Sequence, residues 1–320
     1  MNYKLKKISG DASFREFYRL KKNYKTSIIV AAKKDKYKNL IVYSVINNIL
    51  NSNKITAPRL ISNHYKNSMI EISDLGDKSF FEFIISKKNK GNDYKSLIKL
   101  IFKLQKIKLK KKYNFGKFKV KVPKYTLDSL HKESDLFFDW YLKYSLKNSN
   151  VGKIKKIIKN ELNKIYKKLN FKNDVFVHRD FHVSNIMINK KKLGLIDSQD
   201  AMIGNPLYDV ASLIDDVRIK LPQDLQNKLL KFYWKGSKYK NEKEEKLKND
   251  FDILSVQRNL KILGIFVRLW KRDNKSNYLK FLPYTWKLIE RRLKSSIFKN
   301  LNLLMQKNLP MQKLKRLKKI

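Results

Sequence analysis

Residues 175–197 read Val175-Phe176-Val177-His178-Arg179-Asp180-Phe181-His182-Val183-Ser184-Asn185-Ile186-Met187-Ile188-Asn189-Lys190-Lys191-Lys192-Leu193-Gly194-Leu195-Ile196-Asp197. An apolar run leads into a polar loop, a second apolar run leads out of it, and a third ends on an aspartate. Loop side chains at strand ends are aimed by a rigid sheet, which is how sites are commonly built. The surroundings of this β-rich island are helical in period: 79–86, 94–107, 128–146 and 151–169 before it, and from near Val210 after it, with 256–270 strongly apolar on one face. Further out, residues 14–20 and 26–31 carry the aromatic and β-branched content of two strands, with polar residues 21–25 as the turn of a hairpin. Leu40, Ile41, Val45, Ile46, Ile49 and Leu50 give residues 38–50 the spacing of an amphipathic helix. Two more strands are expected at 59–63 and 68–72, after Pro58. The tail beyond Leu309 is basic and reads as a solvated end.

The 320 residues suffice for two packed domains. With 42% hydrophobic and 12% aromatic residues there is ample material for a core. The chain has no cysteine, which excludes disulfides, thiolate zinc sites and cysteine nucleophiles, so any metal is held by oxygen or imidazole. There is no apolar leader of the signal-peptide type and no run near the ~18 apolar residues of a membrane span, so the expectation is a cytoplasmic protein without membrane partners. The net charge of +46 is carried mostly by lysine spread along the whole chain, alongside abundant Asn, Ile, Tyr and Phe. That pattern follows codon composition, whereas a dedicated nucleic-acid surface more often clusters arginine. No dedicated nucleic-acid partner is expected.

Asp180 and Asn185 have the separation of the kinase catalytic loop, in which the aspartate accepts the proton of the substrate hydroxyl and the asparagine holds Mg²⁺. Asp197 follows the next apolar run, where the second metal ligand belongs. Phosphoryl transfer gathers several anionic oxygens, and a hard cation held by oxygen ligands offsets their charge. Downstream, Gly204-Asn205-Pro206-Leu207-Tyr208-Asp209-Val210-Ala211-Ser212-Leu213 completes the set.

With these motifs the chain resembles the aminoglycoside phosphotransferase and choline kinase superfamily. Four stretches are similar, more closely, to the bacterial N-acetylmuramate/N-acetylglucosamine anomeric kinases: residues 9–19 (Ser9-Gly10-Asp11-Ala12-Ser13-Phe14-Arg15-Glu16-Phe17-Tyr18-Arg19), Asp74-Leu75-Gly76-Asp77, residues 194–201, and Gln257-Arg258-Asn259-Leu260-Lys261-Ile262-Leu263-Gly264. The resemblance implies an α+β, protein-kinase-like two-lobed fold. A small antiparallel β-sheet N-lobe with one helix would span residues 1–73, a larger, mainly helical C-lobe residues 74–308, and the basic tail residues 309–320. It implies a phosphotransferase with an alcohol acceptor, taking ATP as co-substrate with Mg²⁺. By the same resemblance Gly10, Asp11, Ala12 and Ser13 turn over the ATP phosphates, Ser73 and Leu75 belong to an inter-lobe hinge that meets adenine, and Asp209 steadies the catalytic loop. His178 and His182 are structural supports. Candidates for contact with an amino-sugar acceptor are Asp200, Asp215 and Arg258, where ordinary ion pairs are the competing reading for Asp215 and Arg258.

The sequence departs from protein kinases in lacking a strand lysine paired with a helix glutamate. Residues 27–32 hold no lysine and residues 38–50 no glutamate, which leaves Lys33 as the substitute cation. Two rivals stand beside the amino-sugar reading: the same fold acting on another alcohol (an aminoglycoside, choline or a homoserine-like acceptor), and a non-catalytic kinase-fold binding module. The oligomeric state is not legible.

Overall fold

The computed structural model describes residues 3–8, 15–34, 37–146, 151–189 and 192–309. The chain packs as two compact units, one of Met1–Pro123 with Val175–Ile203, the other of Lys124–Asp174 with Gly204–Ile320. These units group residues by packing, and the β-rich island falls with residues 1–123.

In the first unit, β1 (Tyr3–Ile8), β2 (Glu16–Lys22), β3 (Lys25–Ala31), β4 (Leu60–His64) and β5 (Met69–Ser73) form an antiparallel sheet in the order β1-β2-β3-β5-β4. The β2–β3 register runs from Glu16↔Ala31 to Lys22↔Lys25. The turn is therefore two residues, not five, and Asn23 takes the positive φ of 53° that such a turn needs. Helix α1 (Tyr37–Ser52) lays Leu40 and Tyr43 on the buried residues Ile28, Val30, Ile70 and Ile72 of the sheet. Helices α2 (Phe80–Ile84) and α3 (Gly91–Gln105) follow, α2 with a capping box between Ser79 and Glu82. A hairpin of β6 (Tyr113–Phe115) and β7 (Phe118–Val120) has no counterpart in the sequence reading. Its three-residue strands are too short to show a period, and its turn residue Gly116 adopts φ 55°.

The island supplies β8 (Val175–Val177), the antiparallel pair β9 (Ile186–Asn189) and β10 (Lys192–Leu195), and β11 (Met202–Gly204), which pairs with β8. Leu195 N–H donates to the Thr56 carbonyl at 2.8 Å and Ile188 N–H to that of Lys78 at 2.8 Å, so the β9–β10 hairpin is fastened on both strands. Gly194 faces the Leu75 and Thr56 side chains, and a Cβ there would come within 2.9 Å of Leu75 Cδ1.

The second unit is helical: α4 (Leu127–Leu136), a π-helical turn (Phe137–Leu142), α5 (Lys143–Ser145), α6 (Val151–Tyr166), α7 (Tyr208–Ile214), α8 (Gln223–Gly236), α9 (Glu244–Asp273), α10 (Leu282–Leu293) and α11 (Lys299–Asn308). The 30-residue α9 is its spine, buried on nearly every side through its middle turns. Gly264 of α9 meets the α4 backbone so closely that an added Cβ would collide with the Leu136 carbonyl. Buried carboxylates tie the helices together. Glu133 accepts from Tyr125 at 2.6 Å, Tyr208 and Gln257 at 2.9 Å, and Lys261 at 2.9 Å. Asp250 accepts the backbone N–H groups of Asn170 and Phe171 at 2.7 and 2.9 Å. Among the described residues no helix is long and apolar enough to cross a membrane.

Two outcomes follow for stability. Gly264→Ala forces the α4 and α9 backbones apart and is expected to cost about 2 kcal/mol or more, read as a lower urea midpoint at unchanged slope. Burial pushes the Asp252 carboxyl up to about 6, against the pull of Arg292 and Lys248. The folded chain thus keeps a proton that the unfolded chain releases above about pH 4. This group's contribution is full below pH 4, falls as pH rises to 6, and is flat beyond. Urea titrations of Asp252→Asn from pH 4 to 7 are expected to lose that slope, leaving the variant the more stable at pH 7 by roughly 1–2 kcal/mol.

Candidate active site

The loop after β8 is held by short-range hydrogen bonds. After β8 the chain passes through Arg179 with φ 72°, a backbone conformation that costs energy for a residue with a Cβ and turns Asp180 out of the strand line. The His182 N–H then donates to the Asp180 carbonyl at 3.0 Å, and the Asn185 N–H to that of His182 at 2.9 Å. The Asn185 side-chain amide donates to the Asp180 carbonyl at 3.0 Å and lies 3.3 Å from His182 Nε2. Buried His178 reaches the Ile196 carbonyl at 3.1 Å, joining the loop's start to the residue before Asp197. The two histidines thus contact a backbone carbonyl and a side-chain amide.

Asp197 has a left-handed backbone with φ 62° and ψ 39° and leads into a short turn of Ser198–Asp200. The Ser198 hydroxyl donates to Asn47 of α1 at 2.7 Å, which fixes that turn to the helix under the sheet. Arg15, 5% exposed, donates to Asp197 Oδ1 at 2.5 Å and to Gln199 Oε1 at 2.7 Å. Its guanidinium lies over the rings of Phe17 and Tyr43, 5.6 and 5.4 Å from their centroids. Burial pushes the Tyr43 hydroxyl up to about 12, so the ring stays neutral beside the ion pair.

The residues fit Mg²⁺. With the Asn185 NH₂ group turned to the Asp180 carbonyl, its amide oxygen is the end available to a cation. Asp197 offers a carboxylate whose side chain is 37% exposed. Two hard oxygens suit an ion that takes one or two protein ligands and completes its shell with phosphate and water. Among the described residues no cluster of three or more His, Asp or Glu forms the cage a zinc-like site uses.

Asp200 is exposed beside this turn, where Gln199 Nε2 donates to its Oδ2 at 2.8 Å. Lys33 is exposed just past β3. Ser73 closes β5, its hydroxyl accepting from the Arg59 N–H at 2.8 Å, and Leu75 is buried against Gly194. Gly10, Asp11, Ala12 and Ser13 lie outside the described residues, as does the tail from 310. Three candidates belong to the helical unit. Asp209 is buried in the first turn of α7. Asp215 is wholly buried, and its two oxygens accept from Arg292 at 2.9 Å each, Ser255 at 2.5 Å and Gln226 at 3.0 Å. That carboxylate is occupied inside its own unit. Arg258, 4% exposed, stacks over Tyr208 at 5.5 Å, and its Nε has no hydrogen-bond partner among the described residues.

Two arginines were missed as site residues. Arg15 is one. Arg19 is the other: it donates to Asp74 at 2.6 and 3.2 Å and also to Asp77, fastening β2 to the segment after β5. Burial alone would raise the Asp74 carboxyl, but its bonds from Arg19 and the Gly76 N–H hold it below the usual carboxylate range. The signal was the spacing: Arg15 and Arg19 stand four apart in an alternating strand region and so share a side of it.

The family profile described as phosphotransferase enzyme family matches residues 4–242. Over 286 residues the chain is 26% identical to a Pseudomonas aeruginosa protein named N-acetylmuramate/N-acetylglucosamine kinase, covering 88% of this chain and 81% of that one. A Neisseria meningitidis protein of the same name is 24% identical over 279 residues, covering 86% and 81%. In structure, the aminoglycoside phosphotransferase APH(2'')-Ib bound to ADP superposes with a TM-score of 0.61 at 15% identity, over 92% of this chain and 94% of that one. The last likeness shows the kinase-like fold.

Replacing Arg15 by methionine, which fills the space without the charge, is expected to lower kcat/KM about 100-fold. Arg15→Lys should recover only part, because an ammonium cannot hold Asp197 and Gln199 in one plane. Steady-state rates for the two variants check this, and an unimpaired Arg15→Met enzyme would contradict the assignment.

Proposed function

The chain belongs to the phosphotransferase enzyme family and is a phosphotransferase enzyme, and from that we propose that it transfers the γ-phosphoryl group of ATP to the anomeric hydroxyl of N-acetylmuramate or N-acetylglucosamine. The product would be a sugar 1-phosphate. The observation that carries this reading is a loop whose Asn185 amide bonds the Asp180 carbonyl, beside an Asp197 held by Arg15, in a chain that spans 81% of relatives bearing the amino-sugar kinase name. The setting would be cytoplasmic recycling of cell-wall sugars.

In this mechanism Asp180, turned out by the strained Arg179 backbone, accepts the proton of the acceptor hydroxyl and aims its oxygen at the phosphorus. Asn185 and Asp197 would hold Mg²⁺, which would offset the charge of the phosphate oxygens. Arg15 keeps the Asp197 carboxylate in one orientation and supplies fixed positive charge beside it. Arg15 takes precedence over Lys33 for this role, because Lys33 is solvated and Arg15 is buried against the metal aspartate. The segment around Ser73 and Leu75 is the proposed meeting point with adenine, and the Arg19 clamp on Asp74 and Asp77 keeps its shape. Asp200, exposed and steadied by Gln199, is the carboxylate assigned to an acceptor hydroxyl. Arg258, a buried guanidinium with an unmet N–H, is assigned to an acceptor carboxylate. The internal bonding of Asp215 leaves it a role in the helical core.

The test is ATP turnover with Mg²⁺ on N-acetylmuramate, N-acetylglucosamine, choline and kanamycin, with Asp180→Ala as control. Sugar 1-phosphate from the wild type alone is expected; turnover confined to choline or kanamycin would replace the acceptor, and none on any would remove the reading. N-acetylmuramate carries a carboxylate that N-acetylglucosamine lacks. Arg258→Met is therefore expected to raise KM for the former about tenfold or more, with little change for the latter.

A further inference from the structure

A chain with lysine along its whole length reveals no site by charge alone. What singles out one place on the first unit is the company its lysines keep. A cavity of about 1020 Å³ opens between the β4–β5 connection and the β6–β7 hairpin. Lys34, Lys66 and Lys117 stand around it, and among the described residues its lining includes no aspartate or glutamate. None of the three lysines has an ion pair among the described residues. Between them lie the rings of Tyr37, Tyr65, Phe115 and Phe118, each half-buried, with Tyr65 and Phe118 edge-to-face at 5.6 Å. Lys117 Nζ sits 5.7 Å from the Phe118 ring centroid. At the hairpin turn, a Cβ on Gly116 would meet nothing within 4 Å, so the turn backbone is open to approach. Asn63 and Asn67 add amide donors and acceptors at the rim.

Half-buried aromatic faces together with ammonium groups that have no ion pair among the described residues suit a ligand that is planar and anionic at once. Carboxylates at the lining would repel such a ligand. The cavity is also separate from the nucleotide site of the proposed reaction: it lies at the start of β5, four residue steps, or roughly 13 Å, from the Ser73 end.

We propose that this cavity binds the base-and-phosphate chemistry of nucleotides, the bases stacking on the Tyr37, Tyr65, Phe115 and Phe118 faces and the phosphates lying against Lys34, Lys66 and Lys117. A single-stranded nucleic acid and a free mononucleotide both present that chemistry. Stacking is sequence-tolerant, so strand is recognised over duplex, whose bases are already stacked.

Fluorescence anisotropy of the full chain at about 150 mM salt tests this, with a labelled ten-nucleotide single-stranded ribouridylate, labelled uridine monophosphate, and a labelled polyphosphate as the base-free anion. Two variants locate the binding: Tyr37→Ala with Phe115→Ala, and Lys66→Glu with Lys117→Glu, the latter confined to exposed turn positions so that folding is retained. The aromatic pair is expected to weaken the base-bearing probe at least tenfold while leaving polyphosphate binding unchanged, and the lysine pair to weaken both. Loss with the ribouridylate identifies a strand, and loss with the monophosphate a free nucleotide. Base-bearing probes that bind no tighter than polyphosphate, or lysine-pair variants that bind like the wild type, overturn the proposal.

Discussion

Across the β9–β10 hairpin Leu195 stands opposite Ile186, and the contact continues one step further as the Ile196 N–H donates to the Asn185 carbonyl at 3.1 Å. Two residues twelve apart in the chain, Asn185 and Asp197, are thereby set at neighbouring strand ends. A slip of one residue would turn every side chain of β10 to the other face and move Asp197 out of reach of Arg15. The register is defended from outside the hairpin by the Thr56 and Lys78 carbonyls, and Gly194 lets β10 lie flat against Leu75 and Thr56. The loop geometry, the placing of Asn185 near Asp197 and the Arg15 contact all rest on that alignment.

The island was legible because its chemistry is compact: Asp180, Asn185 and Asp197 are local in sequence, and their spacing survives any shift of a helix end. The β2–β3 hairpin and α1 were legible from apolar period, although the strands extend further into the polar 21–25 stretch than the side chains suggest. Backbone pairing there needs only Asn23 in the left-handed region. Other features depended on distant partners. Arg15 finds Asp197 and Gln199 more than 180 residues away, and Asp215 finds Arg292 at a separation of 77. No periodicity encodes such pairings. The β6–β7 hairpin has strands of three residues, and the helix expected over 128–146 widens into a π turn where α9 presses its backbone on α4.

The helical unit solves a different problem with the same materials. Glu133, Asp215 and Asp250 are buried, yet each is surrounded by donors drawn from several elements. Taking carboxylates out of water is costly unless their oxygens are met. These are met by hydroxyls, amides, backbone N–H groups and two cations, Lys261 at Glu133 and Arg292 at Asp215. In a chain with 74 basic and 28 acidic residues, these three carboxylates are placed where they organise cations and donors inside the helical unit.

The first unit is made of two stretches of chain, residues 1–123 and 175–203, with part of the second unit between them. Synthesis runs from the N-terminus, and domains fold as their residues emerge. The five-stranded sheet and α1 are complete by residue 73, while the hairpin that presses on Leu75 and carries Asp197 leaves the ribosome more than 100 residues later. Arg15 and Arg19 are therefore made long before the carboxylate that Arg15 binds, and the helices of 124–174 must be extruded in the interval. The nascent chain carries a preformed sheet with an open seam, which closes only when residue 203 is available.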